Sequence, residues 1–204
     1  MSPLGCAART GLTKCGKPSG KIGVKRTRSD QPETVLLEVL RFLRGKKIPH
    51  LLIGALAVGL WARPRTTLDI DLLISIPENF NALSDAAPEA GFQVDRQWWA
   101  ENPLLQDRQI RLRRGSVSVD LRRAEGPFEQ NIFQRKRRKR LGENTLWVAS
   151  PEDLILMKLR VGRPRDFEDA NALAVNCKKT IDFDYLSSQA RRLGLVDELR
   201  FVLK

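Results

Sequence analysis

The segment at residues 68–74, Leu-Asp-Ile-Asp-Leu-Leu-Ile, restricts the possible folds of this chain more than any other stretch. Side chains alternate between the two faces of a β-strand, so Asp69 and Asp71 point to one side, while Ile70 and Leu72 point to the other. Two carboxylates on one strand face repel each other unless a cation lies between them. Oxygen donors, in a chain with a single histidine, favour Mg²⁺ over zinc. The segment predicts a buried strand carrying a divalent-cation site; an exposed strand face or a turn is the alternative.

A second apolar strand offers a third carboxylate. Asp120 lies between Val119 and Leu121, whose side chains we expect to face the core while Asp120 faces the opposite side. The Gly115-Ser116 dipeptide predicts a turn that pairs this strand with the one before it. If the strand neighbours residues 68–74, its carboxylate completes a three-aspartate metal site.

Gly54 separates a short apolar strand from a helix of small residues. Backbone amides at a helix N-terminus can bind a phosphate, so Gly54 and Ala55 are candidates for nucleotide contacts. The alternative interpretation of Gly54 is a tight turn without a ligand.

The remaining pattern alternates helices with short strands up to residue 149 and is helical beyond it. The predicted helices cover residues 31–43, 55–61, 79–90, 128–137, 151–161 and 164–175, with one or two more between 182 and 203. The predicted strands cover residues 51–53, 68–74, 92–95, 108–113, 117–121 and 146–148. This order predicts an α+β fold, a small mixed β-sheet flanked by helices. We expect a core domain at residues 31–149 and a C-terminal helical subdomain at residues 150–204.

The positive charge of the chain is concentrated in two segments. The net charge is +12, and residues 1–30 and the run Arg135–Arg140 each contribute +6. Residues 1–30 are poor in apolar side chains and are expected to be a disordered basic tail, or a stretch outside the native protein. The basic run could contact phosphates of a polyanion or form a solvated helix end.

The composition excludes several classes of protein. No apolar run is long enough for a membrane-spanning helix, and no apolar stretch resembles a secretory signal. Three scattered cysteines, Cys6, Cys15 and Cys177, do not predict a disulfide framework or a zinc cluster. We therefore expect a cytoplasmic protein with no membrane partner.

The helical half contains a lysine that requires an anion. Ser150 and Asp153 predict the start of a capped helix. On this helix Lys158 falls between two apolar positions, so its ammonium needs either a phosphate or a nearby carboxylate as partner. Elsewhere, the adjacent Trp98 and Trp99 could stack on a base, or pack with one ring in the core and one at its edge.

The stretch Gly54-Ala55-Leu56-Ala57, followed by Arg65-Thr66-Thr67-Leu68-Asp69-Ile70-Asp71, resembles the signature of the DNA polymerase β-like nucleotidyltransferase superfamily. Within it, roughly residues 31–175 are most similar to AbiEii-type and minimal nucleotidyltransferases, many of them toxin–antitoxin components. Those proteins usually carry glycine or serine where this chain has Ala55. A second block of the AbiEii-type proteins resembles Lys158 with Arg165, Asp166 and Asp169. In that block the lysine is associated with nucleotide phosphates and the first aspartate with the active site. Asp169 is expected to be structural.

The resemblance implies Mg²⁺-dependent transfer of a nucleoside monophosphate (NMP) from a nucleoside triphosphate (NTP) to an acceptor hydroxyl. The implied metal ligands of a two-metal site are Asp69, Asp71 and Asp120. Lys158 and Asp166 complete the implied catalytic set, and the implied nucleotide contacts are Gly54, Ala55, Arg65, Thr66 and Lys158.

The acceptor is left open by the sequence. The first hypothesis is RNA, a tRNA 3′ end modified by a toxin. The second is a hydroxyl of a protein partner, adenylylated by an antitoxin-type enzyme, so a cognate toxin or antitoxin is a possible partner. The third is a nucleic-acid-binding module without catalysis.

Overall fold

The computed structural model describes residues 31–64, 66–76 and 79–204, and the predicted tail at residues 1–30 lies outside this part of the chain. The described residues form nine α-helices and seven β-strands. The helices are α1 (Pro32–Gly45), α2 (Gly54–Trp61), α3 (Asn81–Ala86), α4 (Arg96–Glu101), α5 (Gly126–Arg135), α6 (Pro151–Val161), α7 (Pro164–Asn176), α8 (Phe183–Leu193) and α9 (Val196–Val202). The strands are β1 (His50–Ile53), β2 (Asp69–Ile74), β3 (Gln93–Val94), β4 (Gln109–Arg114), β5 (Val117–Arg123), β6 (Arg137–Leu141) and β7 (Asn144–Val148).

All seven strands belong to one mixed sheet with the order β3-β4-β5-β2-β1-β7-β6. The pairs β2–β5 and β1–β7 are parallel, and the other four pairs are antiparallel. Strands β1 and β2 lie inside the sheet with a neighbour on each side, which accounts for their nearly continuous apolar sequences. This mixed sheet, surrounded by helices, confirms the predicted α+β fold.

Helix α1 packs one apolar face against the sheet. Pro32 occupies its first turn, where a missing N–H costs nothing, and Leu36, Leu40 and Leu43 are spaced to lie on one side. These side chains are at most 4% exposed and form one continuous core with the buried side chains of β1, β2 and β5. The predicted helix at residues 31–43 is thus confirmed, ending two residues later at Gly45.

A buried polar network anchors α6 to its neighbours. The Ser150 hydroxyl accepts the Asp153 N–H at 3.2 Å and donates to the Asp153 carboxylate at 2.7 Å, as the predicted cap requires. The Tyr185 hydroxyl of α8 donates to the other Asp153 oxygen at 2.7 Å. Above the Tyr185 ring, 3.6 Å from its centroid, lies the guanidinium of Arg135 at the end of α5. Three helices therefore meet at one fully buried carboxylate.

All regular elements after Ser150 are helices, and their buried apolar side chains join the same core cluster as the sheet. Helix α2 packs against both β2 and the pair α6–α7. The division into a core domain and a helical subdomain at residue 150 stays a prediction. None of the helices in the described ranges has the length and apolar character needed to cross a membrane.

The prediction of a helix at residues 128–137 is wrong at its C-terminal end. The alternative prediction that the basic run forms a solvated helix end is also wrong. Helix α5 stops at Arg135 because the backbone of Lys136 is extended, with φ −50° and ψ 145°. The next five residues form edge strand β6, which turns at Gly142 (φ +57°) and pairs with β7. A helix also forms where none is predicted: the Asp95 carboxylate accepts the Trp98 N–H at 3.0 Å and starts α4.

Candidate functional site

The parallel pairing of β2 with β5 brings the predicted carboxylates onto adjacent strands. Asp71 lies directly opposite Asp120 in the register, and Asp69 lies opposite Ser118. Because residues two apart on a strand share a face, all three carboxylates lie on one face of the sheet. Asp120 is 6% exposed, Asp71 is half-buried and Asp69 is exposed. Asp120 thus lies on the strand next to Asp69 and Asp71, as expected, and its role as a third metal ligand stays a prediction.

The Asp71 carboxylate is in an electrostatically unfavourable position. Its pKa rises from the ordinary value of 3.8 to about 6, first because of burial and then because of the neighbouring charges of Asp120 and Asp69. Lys158 and Arg122 lower the pKa of Asp71 by a smaller amount. Among the described residues, no hydrogen-bond donor or ion-pair partner contacts this carboxylate. A cation at this position would relieve the repulsion.

Gly54 fits against Asp71 because it lacks a side chain. It begins α2 with φ +68°, in the left-handed region that favours glycine. A Cβ atom built on Gly54 would lie 2.0 Å from the Asp71 Oδ2 atom and 2.7 Å from its Cβ atom. The glycine is thus required both by the backbone conformation and by the close approach of the carboxylate. Ala55, the next residue, is buried at 7% exposure.

Asp120 is bound by Arg111 of the neighbouring strand β4. The Arg111 Nε and Nη2 atoms donate to the two Asp120 oxygens, each at 2.7 Å. The guanidinium also lies 4.6 Å from the centroid of the Trp98 ring, which holds it from the other side. This bidentate ion pair satisfies one lone pair on each Asp120 oxygen and leaves the others available. Trp98 therefore contributes to the site by positioning Arg111, a use that neither prediction for the tryptophan pair includes.

Lys158 forms ion pairs with both acidic residues of the predicted block. Its Nζ atom lies 2.9 Å from an Asp166 oxygen and 2.8 Å from an Asp169 oxygen. The carboxylate partner predicted as one alternative is therefore present. The other Asp166 oxygen, Oδ2, is buried and lacks a hydrogen-bond partner within the described part of the chain. The charge of Lys158 also lowers the pKa of Asp71.

The loop that enters β2 is described only in part. Arg65, a predicted nucleotide contact, lies outside the described residues. Thr66, the other predicted contact in this loop, is exposed. Thr67, which the prediction omits, accepts the Asp69 N–H on its hydroxyl at 3.1 Å and so fixes the start of the strand.

The chemistry of the donor set suits a hard divalent cation. Asp69 and Asp71 offer carboxylate oxygens that are not bonded to any described cation, and Asp71 is destabilised without one. Considering only the described residues, there is no group of three or more His, Cys, Asp or Glu side chains arranged to hold a metal ion. Arg111 already binds both oxygens of Asp120. The residues thus fit one cation at Asp69 and Asp71.

Arg111 is the residue that sequence reasoning missed. Its partnership could have been found by counting from the predicted turn at Gly115-Ser116. A two-residue hairpin pairs Arg114 with Val117, and therefore Arg111 with Asp120, which is the observed register.

Comparison with known proteins assigns the fold. No protein-family model matches the chain, and no curated protein matches it in sequence. Among solved structures, the chain has the fold of nucleotidyltransferases. It is similar to ANT(2″)-Ia in complex with adenylyl-2″-tobramycin, at 17% identity and a TM-score of 0.56, over 78% of this chain and 96% of that one. The solution structure of the antibiotic-resistance factor ANT(2″)-Ia is similar at 15% identity and a TM-score of 0.57, over 82% and 95%. The lincosamide antibiotic adenylyltransferase LnuA, bound to lincomycin, is similar at 17% identity and a TM-score of 0.52, over 69% and 95%.

Proposed function

We propose that this protein transfers an NMP group from an NTP to an acceptor hydroxyl. The observation that carries the proposal is the position of Asp71, a half-buried carboxylate beside Gly54 and opposite Asp120 whose pKa is raised to about 6. A fold stabilised only by packing gains nothing from this repulsion, whereas a bound cation would offset it. The nucleotidyltransferase fold of the chain supports the same chemistry.

In the proposed reaction the acceptor oxygen attacks the α-phosphorus, and the bond from that phosphorus to the α,β-bridging oxygen breaks. Pyrophosphate carries away the electron pair, and the hydroxyl proton passes to a carboxylate and then to water. This carboxylate is Asp120, which accepts a hydrogen bond from the acceptor hydroxyl through a lone pair that Arg111 leaves free. Arg111 keeps the carboxylate aimed at the acceptor, and Trp98 keeps Arg111 in place.

Mg²⁺ would be held by Asp69 and Asp71, and a second ion at Asp120 would require the Arg111 ion pair to open. When bound, Mg²⁺ supplies Lewis-acid charge neutralisation for the triphosphate.

The nucleotide side of the site is formed by the start of α2 and by α6. The amides of Gly54 and Ala55 would donate to phosphate oxygens at the helix N-terminus. An ammonium has three donors, and Lys158 uses two of them on Asp166 and Asp169, so the third is available for a phosphate. Arg65 and Thr66 would approach the phosphates from the loop before β2. Because NTPs are the substrates, we place this activity in the cytoplasm.

For the acceptor we propose RNA, a tRNA 3′ end as in the toxins of the AbiEii-type resemblance. The basic strand β6, with four consecutive cationic residues from Arg137 to Arg140, supports a polyanionic acceptor. A second candidate, a binding module without catalysis, is favoured by the ion pair that occupies Asp120.

The test is to incubate the protein with each NTP labelled at the α-phosphate, with Mg²⁺ or Mn²⁺ and, in separate reactions, with total tRNA, with a cell extract, or with tobramycin or lincomycin. We expect label on RNA. Label on protein would support the antitoxin-type alternative, and label on an antibiotic of the kind bound by ANT(2″)-Ia or LnuA would support a small-molecule acceptor. Absence of transfer to any acceptor would favour the binding module. The matched control is Asp69→Asn, which should abolish transfer in every case.

A further inference from the structure

A cavity of about 470 Å³ lies between α1 and the β6–β7 hairpin, and the proposed reaction does not use it. We call it the hairpin cavity. Its lining includes Arg44 of α1, His50 of β1, and Lys136, Arg138 and Trp147 at the hairpin. Its volume is within the range of sites that hold one small ligand.

The hairpin cavity is lined by cations that have no anion. Within the described residues, no carboxylate forms an ion pair with Arg44, Lys136 or Arg138. The Lys136 Nζ and Arg138 Cζ atoms lie 5.0 and 4.8 Å from the centroid of the Trp147 ring. Three like charges converging on one concave surface create a positive potential that attracts an anion.

Two uncharged groups complete the cavity. Burial lowers the pKa of His50, and its Nδ1–H donates to the Ile48 carbonyl at 2.7 Å, so the imidazole is neutral near pH 7 and keeps Nε2 as an acceptor. The Trp147 side chain is exposed (37% for the residue), although tryptophan is usually well buried. An exposed indole beside unpaired cations can stack on a nucleobase while the cations bind the phosphates.

We propose that the hairpin cavity binds a nucleotide unit of a single-stranded RNA, with the base against Trp147 and its phosphates at Arg44, Lys136 and Arg138. The choice of RNA rests on the proposed function, because an RNA acceptor must be held by surfaces outside the metal site.

The sheet register divides the cavity lining between the two faces of the sheet. His50, which pairs with Ile74, and α1, which Glu38 joins to Arg114, lie on the face opposite the carboxylates. Leu52 pairs with Val148 and Ile53 pairs with Asp71, so Trp147 shares the face of Ile53 and Asp71. Strands β2 and β7 are separated by one intervening strand, which corresponds to about 10 Å across the sheet. The proposed base contact at Trp147, and not the whole cavity, therefore lies on the side of the carboxylates.

The same alternation divides the basic run into two sets. Arg138 pairs with Trp147 and shares its face, whereas Lys139 points to the other face and lies 3.9 Å from the centroid of the Trp61 ring. Only part of the run is therefore available to RNA at the cavity, and within β6 the cavity contact is Arg138.

The test measures binding of a fluorescein-labelled, 12-nucleotide single-stranded RNA by anisotropy, over a series of salt concentrations. The variant Arg44→Gln/Arg138→Gln removes two cavity charges. The control Arg191→Gln/Arg192→Gln removes two exposed charges at the end of α8. We expect the cavity variant to lose about tenfold or more in affinity. Its slope of log affinity against log salt should fall by about 1.4, because each phosphate contact contributes about 0.7 for single strands.

Two further variants separate charge from folding. Arg44→Lys/Arg138→Lys keeps both charges and should bind RNA within about threefold of the wild type. Trp147→Leu should lower affinity by about fivefold or more, since stacking on one base is worth about 1–3 kcal/mol. All variants should keep the far-UV circular dichroism spectrum of the wild type.

The proposal is overturned if the cavity variant and the control variant bind RNA equally well, or if the cavity variant loses binding of free ATP but not of RNA. The result is independent of catalysis. If the cavity variant binds RNA as the wild type does and still transfers NMP, RNA binding at the cavity is rejected and the proposed function is retained. If the cavity variant loses RNA binding and the wild type transfers no label, the proposed function is rejected and RNA binding at the cavity is retained.

Discussion

Two carboxylates of this chain, Asp71 in β2 and Asp153 in α6, have their pKa raised by burial, but their surroundings differ. Asp153 accepts hydrogen bonds from Ser150 and Tyr185 and lies near the Arg135 guanidinium. Asp71 faces Asp120 and Asp69 and has no donor among the described residues. Asp153 therefore stabilises the fold through its hydrogen bonds. Asp71 lowers the stability of the fold, a cost that we attribute to its proposed role as a cation ligand. Substitutions at the two positions should therefore have opposite consequences.

The largest expected effect is on activity. Asp71→Asn should reduce NMP transfer on the order of 10³-fold or more, since the amide cannot replace a charged ligand and each tenfold loss corresponds to about 1.4 kcal/mol. The same change should raise the Tm in metal-free buffer, because it removes like-charge repulsion. Transfer of labelled NMP and thermal unfolding of the same preparation check both halves. Retained transfer would show that Asp71 is not a metal ligand.

The gain in stability has a defined pH window. The folded pKa of Asp71, about 6, lies above its unfolded value of 3.8, so this carboxyl favours the folded state below pH 4 and loses that contribution as the pH rises to 6. The stability advantage of Asp71→Asn over the wild type should therefore be largest above pH 6 and should disappear below pH 4.

The next largest effect is on stability at the second carboxylate. Asp153→Ala leaves the Tyr185 and Ser150 hydroxyls without their acceptor in a buried position, and it removes one of the three carboxylates near the Arg135 guanidinium. We expect a loss of about 3 kcal/mol in the free energy of unfolding, measured by urea denaturation. Asp197→Ala, at an exposed aspartate of α9, should cost less than about 0.5 kcal/mol. Equal effects would mean that the network does not anchor α6.

Gly54→Ala forces a side chain against Asp71. Gly194 has a similar φ, +71° against +68°, but nothing lies within 4 Å of an added Cβ atom there. Gly194→Ala should cost about 1–2 kcal/mol from the left-handed conformation alone. Gly54→Ala should cost about 2 kcal/mol more, because Asp71 must move, and should also reduce transfer. Equal destabilisation of the two variants would show that the contact with Asp71 is not limiting.

The smallest effect is the response to the metal. Mg²⁺ at ten times its dissociation constant should stabilise the wild type by about 1.4 kcal/mol at pH 7.5, seen as a rise in Tm. The rise should shrink as the pH falls to 5, since Asp71 is then protonated and must lose its proton to bind a cation. Asp71→Asn should show no rise at either pH. A rise that does not depend on pH or on Asp71 would place the metal elsewhere.

The sequence predicts the fold wherever one regular pattern covers a whole element. The apolar spacing of α1 and the alternation in β2 and β5 are strong enough to fix both the type of element and its buried side. The pattern is lost in β6, where four successive cations hide the alternation. There the strand is determined by its pairing with β7 across the turn at Gly142.

The candidate site could be predicted where its chemistry is local in sequence. Asp69, Asp71 and Gly54 stand out by spacing alone, and Asp120 follows from its apolar neighbours. The Arg111 contact depends on the pairing of two strands, and that pairing depends on counting from a turn. The ion pairs of Lys158 depend on how α6 and α7 pack, which no local pattern specifies.

The two edge strands of the sheet affect the tendency of the protein to aggregate at high concentration. One edge strand is β3, which is only two residues long. The other is β6, whose exposed arginines repel the same strand of a second copy of the protein. Short or cationic edge strands prevent strands of neighbouring molecules from adding to a sheet. Neutralising β6 should therefore make the protein prone to aggregate, even where folding and catalysis are unaffected.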